Sequence, residues 1–197
     1  KRQNILWEFS HTELGFTFGK ATVAKMNNGR WAAIFGNGYH PGDTSTGEAA
    51  LFIKYLDGAS PSFTHISTGE GDNLAGDCLD PGSNCNGLST PAVADLGGDR
   101  VGDRIYAGDL MGNLWAFDVS STNASSWVVD NSSTPLFTAR DSGGTRQPIT
   151  TRPAVVMHPT ERHGSTAPNI MAFFGTGQYI TENDVVLTDT NTFYGIW

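Results

Sequence analysis

Charge is scarce in this chain. Asp, Glu, Lys and Arg make up 16% of its 197 residues, against roughly 25% in an average soluble protein. Basic residues are scarcer still, 12 against 20 acidic, for a formal charge of −8, which argues against a nucleic-acid footprint. No apolar run approaches the roughly 20 residues that cross a bilayer as a helix, so no membrane insertion is expected. The opening ten residues, Lys1–Ser10, lack the apolar core and small-residue cleavage site of a signal peptide. No Met precedes them, and the stretch reads as a mature or excised piece. In place of charge stand 24 Gly, 21 Thr, 15 Ser and 13 Asn, the chemistry of turns and strands rather than helices. A long helical bundle and a disordered chain are both excluded, and the length suits one domain.

Cysteine is limited to Cys78 and Cys85, seven positions apart in a loop rich in Asp, Pro, Gly, Ser and Asn. Such a loop can bring its ends together, so the pair reads as a local disulfide of an exported protein. The plainer alternative is two free thiols in a surface loop. A zinc pair is disfavoured because no second ligand pair stands at finger-like spacing.

The chain repeats itself. Ala21–Ala24, Pro91–Ala94 and Pro153–Val156 each open a unit with a small-residue strand. An apolar second strand follows each time: Trp31–Gly38, Arg104–Asp109 and Ile170–Gly177. Third strands are expected at Ala50–Tyr55, Asn113–Asp118 and Thr192–Trp197, and outer strands at Phe63–Ser67 and Ser126–Asp130. Gly36, Gly108 and Gly175 mark the period, in steps of 72 and 67 residues. Short strands recurring with glycine and aromatic residues are the sign of an all-β propeller. The period exceeds the roughly 40–45 residues of a compact blade, so insertions are expected near 40–49, 69–89, 131–150 and 178–191. A generic β-sandwich is the rival architecture.

The expected division is a partial blade at 1–10, with Ile5–Phe9 as a strand, and blades at 11–68, 86–130 and 147–197. Three four-stranded blades do not close a ring. The chain is therefore expected to be part of a larger propeller, seven-bladed by the family resemblance that follows.

Several stretches are similar to one family. They are Leu6–Phe9, Leu14–Lys20, Phe35–Tyr39, Asn86–Ala92, Tyr106–Asp118, Gln147–Pro153 and Phe193–Trp197. In this order the set resembles the C-terminal propeller of PilY/PilC-type type IV pilus biogenesis and tip-adhesin proteins. The resemblance implies a non-enzymatic, exported protein of the periplasm, pilus tip or cell surface. Minor pilins, the pilus assembly machinery and a host or abiotic surface receptor would be its partners. Its roles would be pilus assembly, retraction control, adhesion and twitching motility.

The same family carries a calcium loop between the first two strands of one blade. Its pattern matches Asp95–Asp103, where Asp95, Asp99 and Asp103 keep carboxylates and Val101 would offer its carbonyl. Gly97 replaces a side-chain ligand, and Arg100 stands where a turn glycine is usual. A hard cation takes about six to eight oxygens, so water would complete a weak calcium site. The other reading is an acidic hairpin turn neutralised by Arg100 and Arg104.

Other constellations fail on chemistry. Asp141-Ser142-Gly143-Gly144 resembles a protease nucleophile loop, but Arg140 precedes it and no His has a matching context. His158 and His163 flank a Glu without helical spacing, and Pro159 opposes a helix. Asp72, Asp77 and Asp80 read as solvated loop carboxylates. Gly112–Asp118 is similar to the blade repeat of quinone-dependent dehydrogenases. Those enzymes use adjacent cysteines with calcium beneath a pyrroloquinoline cofactor, unlike Cys78 and Cys85. A generic exported scaffold or ligand-binding propeller is the third alternative.

Overall fold

The computed structural model describes residues 7–39, 45–72, 78, 84–161, 164, 168–186 and 190–197. Asp77, Asp80 and His163 lie outside the described residues.

Among the described residues thirteen strands form three sheets, and the helical pieces are single turns. Unit 1 comprises β1 (Thr22–Met26), β2 (Trp31–Gly36), β3 (Ala50–Tyr55) and β4 (Phe63–Ser67), an antiparallel meander. Unit 2 comprises β5 (Ala92–Ala94), β6 (Val101–Gly102), β7 (Arg104–Gly108), β8 (Asn113–Asp118), β9 (Val128–Val129) and β10 (Phe137–Thr138). Unit 3 comprises β11 (Ala154–Met157), β12 (Ile170–Gly175) and β13 (Phe193–Ile196). The first strands of successive sheets, β1, β5 and β11, lie beside one another, as the inner strands of a radial array must.

Local sequence explains the first meander. The β1–β2 turn needs a residue of positive φ and has Gly29 there, φ 82°, a conformation that costs a side-chain-bearing residue dearly. Arg30, just past it, grips Asp57 of the β3–β4 turn through two nitrogens at 2.7 and 2.5 Å and lies over the Tyr55 ring. That pairing holds the Asp57 carboxyl down to about 2. All six residues of β3 are buried, so the strand is covered on both faces, which its near-continuous apolar run anticipates.

The core lies between sheets rather than within one. Met26, Ile34, Leu51, Ile53 and Tyr55 of unit 1 join Leu88, Ile105, Trp115 and Phe117 of unit 2 in one cluster. Leu114, Ile149, Ala172 and Phe174 join units 2 and 3 in another. Fully burying side chains of this size stabilises by about 1.5–3 kcal/mol each, so each sheet depends on its neighbour.

Three expected details differ. Trp7–Phe9 is not a strand. The Phe9 ring instead sits edge-on to Phe35, Phe52 and Phe63, at 5.1–6.0 Å, which places the segment on the face of the sheet rather than its edge. The outer strand of unit 2 is split: within 126–130 only Val128–Val129 pairs with β8, and Phe137–Thr138 pairs with the other end of the same strand. Between them Asn131, Ser132 and Ser133 take positive φ, a conformation that cannot continue a strand. Unit 3 has three strands among the described residues.

Candidate functional site

The recurring glycines sit where one unit meets the lead-in of the next. A Cβ on Gly36 would lie 2.5 Å from the Ser89 carbonyl oxygen and 2.7 Å from the Leu88 carbonyl carbon. A Cβ on Gly108 would lie 2.6 Å from the Ile149 carbonyl oxygen and against its side chain. Leu88 and Ile149 hold equivalent places, just before the first strands of units 2 and 3. Their backbone bonds run across the seams: Gly38 N–H donates to Leu88 O at 3.2 Å, and Ile149 N–H donates to Asp109 O at 2.9 Å. Gly175 has the same place in unit 3, where the nearest contact of a Cβ would be the Phe193 ring at 3.7 Å.

The residue after each glycine is polar and turned inward: Asn37, Asp109 and Thr176. Asn37 Oδ1 accepts from the amides of Ala50, at 3.0 Å, and Leu88, at 2.8 Å. Its Nδ2 donates to the carbonyls of Glu13 and Glu48. One side chain thus spans the gap to β3 and the seam to unit 2. Thr176 Oγ1 accepts from Thr192 N–H at 2.7 Å and bridges to β13.

Asp109 is fully buried. Its carboxylate accepts from Asn113 N at 2.8 Å, Asn113 Nδ2 at 3.0 Å, Trp115 Nε1 at 2.8 Å and Asn86 Nδ2 at 2.8 Å. Burial pushes its pKa up, against the pull of these four bonds. Asn86 extends the network to Glu70 O and to the amides of Leu110 and Met111. Every donor in this set is consumed in joining segments.

The aspartate loop fastens the same two units at the other end of their strands. Its tail, β6, pairs in parallel with β1, Lys25 opposite Val101 and Met26 opposite Gly102. Asn27 of the β1–β2 turn donates to Gly102 O, Asp103 Oδ1 and Val119 O at 3.0–3.2 Å. Inside the loop the carboxylates cap amides. Asp95 accepts from Gly98, Asp99 and Arg100, Asp99 from Val101, and Asp103 from Leu96 and Gly97, at 2.6–3.2 Å. Arg100, in the usual glycine position, takes φ 68°.

Among the described residues no three acidic side chains converge as the ligands of one ion do. The loop thus supplies carboxylates of the right kind, but points them at its own backbone. Of the two arginines, Arg104 pairs with Asp118 and Asp130 rather than with the carboxylates of the loop.

Cys78 and Cys85 are joined by a disulfide, Cα to Cα 5.3 Å. Asp141 Oδ1 accepts from the Gly143 and Thr145 amides and so closes its own turn. His158 Nδ1 accepts from Glu161 N–H at 2.9 Å in an exposed loop. Sequence reasoning missed Asn37, Asn86 and Asp109 as buried connectors. For Asn37 and Asp109 the signal is the polar residue that follows each period-marking glycine, whereas Asn86, after Cys85, carries no such mark.

Comparison with known proteins places this geometry. The family model described as the PilY1 beta-propeller domain matches residues 3–197. The type IV pilus biogenesis factor PilY1 of Pseudomonas aeruginosa (strain PAK) is 38% identical over 216 residues, covering 98% of this chain and 17% of that protein. A PilY1 homolog of Xylella fastidiosa is 35% identical over 210 residues, covering 98% of this chain and 13% of the relative. This chain therefore spans 13–17% of the length of these curated relatives. The crystal structure of the Pseudomonas aeruginosa PilY1 C-terminal domain superposes with a TM-score of 0.78 at 36% identity, covering 98% of this chain and 39% of that one. Three sheets joined at glycine-marked seams are thus a segment of a propeller, and the chain belongs to the PilY1 beta-propeller family.

Proposed function

We propose that this segment serves type IV pilus biogenesis as part of an exported factor of the periplasm, pilus tip or cell surface. It acts there with minor pilins and the assembly machinery, and contributes to retraction control, adhesion to a host or abiotic receptor, and twitching motility. The observation that carries the reading is the PilY1 propeller match over residues 3–197. Relatives over 98% of the chain bear the name of a pilus biogenesis factor.

A non-enzymatic, scaffolding role suits the buried polar groups, since Asn37, Asn86 and Asp109 are all engaged in holding sheets together. The separation of seven between the bonded cysteines also departs from the adjacent pair of the quinone-dependent dehydrogenases. Deleting the gene is expected to abolish surface pili and twitching, with recovery on returning it intact. A deletion strain with normal piliation ends the reading.

Calcium belongs to the same proposal, at the 95–103 loop. Three carboxylates within nine residues support it. The ion must displace amides that Asp95, Asp99 and Asp103 now hold, so the expected affinity is modest, about 10⁻⁴–10⁻³ M as in extracellular calcium modules. Calorimetry should record heat on titrating calcium into the chain and none with Asp99→Ala. Silence from the wild-type chain removes calcium from the account.

A further inference from the structure

The lead-in segments of all three units converge on one small cavity at the glycine end of the sheets. Its wall holds Lys20, just before β1, Ser89 and Thr90, just before β5, and Thr150, ahead of β11. Tyr39 completes the polar part of the wall from unit 1. Inner strands of a propeller surround its central channel, so these residues stand at the end of that channel. Two bonds tie the lead-ins together around the cavity. Lys20 N–H donates to Thr90 Oγ1 at 3.2 Å, and Tyr39 O–H donates to Thr150 O at 3.1 Å. The volume of about 80 Å³ admits a group of a few heavy atoms, or two to three waters at roughly 30 Å³ each.

Ser89 is out of balance there. It is only 4% exposed, yet its hydroxyl has no hydrogen-bond partner among the described residues. Buried polar groups are almost always paired, so a lone hydroxyl on a cavity wall marks the place of a ligand atom. Thr90 also has a proton to give, since its oxygen is the acceptor in the bond from Lys20. Thr150 and Tyr39 do not: Thr150 Oγ1 donates to Gly177 O at 2.7 Å, and the Tyr39 proton is used on Thr150 O. Lys20 is the one charged residue of the lining, and no acid pairs with it among the described residues. Asp109, whose charge is felt at Tyr39, is already matched by four N–H donors. The wall thus offers an ammonium and two hydroxyl protons with no unopposed negative charge, and this selects an anion. A single cation balances a monoanion. A phosphate dianion would leave excess charge against Phe35 and Leu88, which is costly to bury. The two oxygens of a carboxylate accept about four bonds, enough for all three donors.

We propose that this cavity binds a carboxylate monoanion through Ser89 Oγ, Thr90 Oγ1 and Lys20 Nζ. The site is independent of the pilus role. Amide-detected NMR titration of the chain with sodium acetate, N-acetylglycine and sodium phosphate, at neutral pH and constant ionic strength, tests it. The amides of Lys20, Ser89 and Thr90 should shift saturably with at least one carboxylate and not with phosphate. A preference for acetate points to a free acid, a preference for N-acetylglycine to the end of a peptide chain, and either supports the site. Lys20→Gln and Ser89→Ala should each weaken binding about tenfold or more, the effect of losing one bond to a charged group. Lys20 is exposed, so its variant should fold as the parent does. Ser89→Ala should melt no lower than the parent in carboxylate-free buffer, because its hydroxyl has no internal bond to lose. Absence of shifts with both carboxylates, phosphate binding as tight as acetate, or undiminished binding by both variants overturns the proposal. So does a lowered melting temperature for Ser89→Ala, which would mean that a fixed water or a group of the fold already holds the hydroxyl.

Discussion

Gly36→Ala and Gly108→Ala are expected to lower the stability of the chain by about 3 kcal/mol or more each, the upper range for overpacking a filled interior. The added methyl on Gly36 has no flexible neighbour to displace, because it meets the backbone carbonyls of Leu88 and Ser89. On Gly108 it meets the carbonyl and the branched side chain of Ile149. For a chain of this size such a loss lowers the melting temperature by about 6–12 °C, at roughly 2–4 °C per kcal/mol. Gly175→Ala is the internal control. The Phe193 ring at 3.7 Å is in ordinary contact, so that variant should stay within about 0.5 kcal/mol of the parent. Denaturant titration of the three variants decides the matter. Equal losses at all three positions would mean that strand conformation, not the approach of the next lead-in, requires glycine there.

Asp109→Ala should cost about 3–5 kcal/mol, the range for stripping a buried charge network of its acceptor. Four N–H groups, from Asn86, Asn113 and Trp115, lose their partner at once, and water has no ready access to replace it. Asp109→Asn should cost less but remain harmful, because it keeps one oxygen while turning an NH₂ toward groups that are all donors. Denaturation measures the cost, and faster hydrogen exchange at the Asn113 amide shows where it arises. An Asp109→Ala chain as stable as the parent would mean that the network is bridged by water.

The sequence is most legible where strands are covered on both faces. Ala50–Tyr55 and Asn113–Asp118 are read with their observed limits, since their largely apolar runs stop at turn residues; the half-buried outer strand Phe63–Ser67 is read with its limits too, from its place after the third strand. The glycine period is equally plain. Its cause is not, because a close approach between residues 36 and 88 leaves no local trace. Asn37 and Asp109 look like ordinary turn residues in a single unit, and only alignment of three units shows a polar side chain recurring after the glycine. Trp7–Phe9 misleads because alternation describes a strand and a segment laid across a sheet equally well. Within the aspartate loop, spacing reveals the residue types but not their aim, which the backbone amides decide.

Units 1 and 2 are fastened at both ends, by Leu88 against Gly36 and by β6 along β1. Between units 2 and 3 the described residues supply Ile149 against Gly108 but no counterpart of β6. Tension on this stretch of polypeptide therefore meets unequal resistance. The earlier pair shares a load across two clasps, whereas the later junction can unzip from its unclasped side.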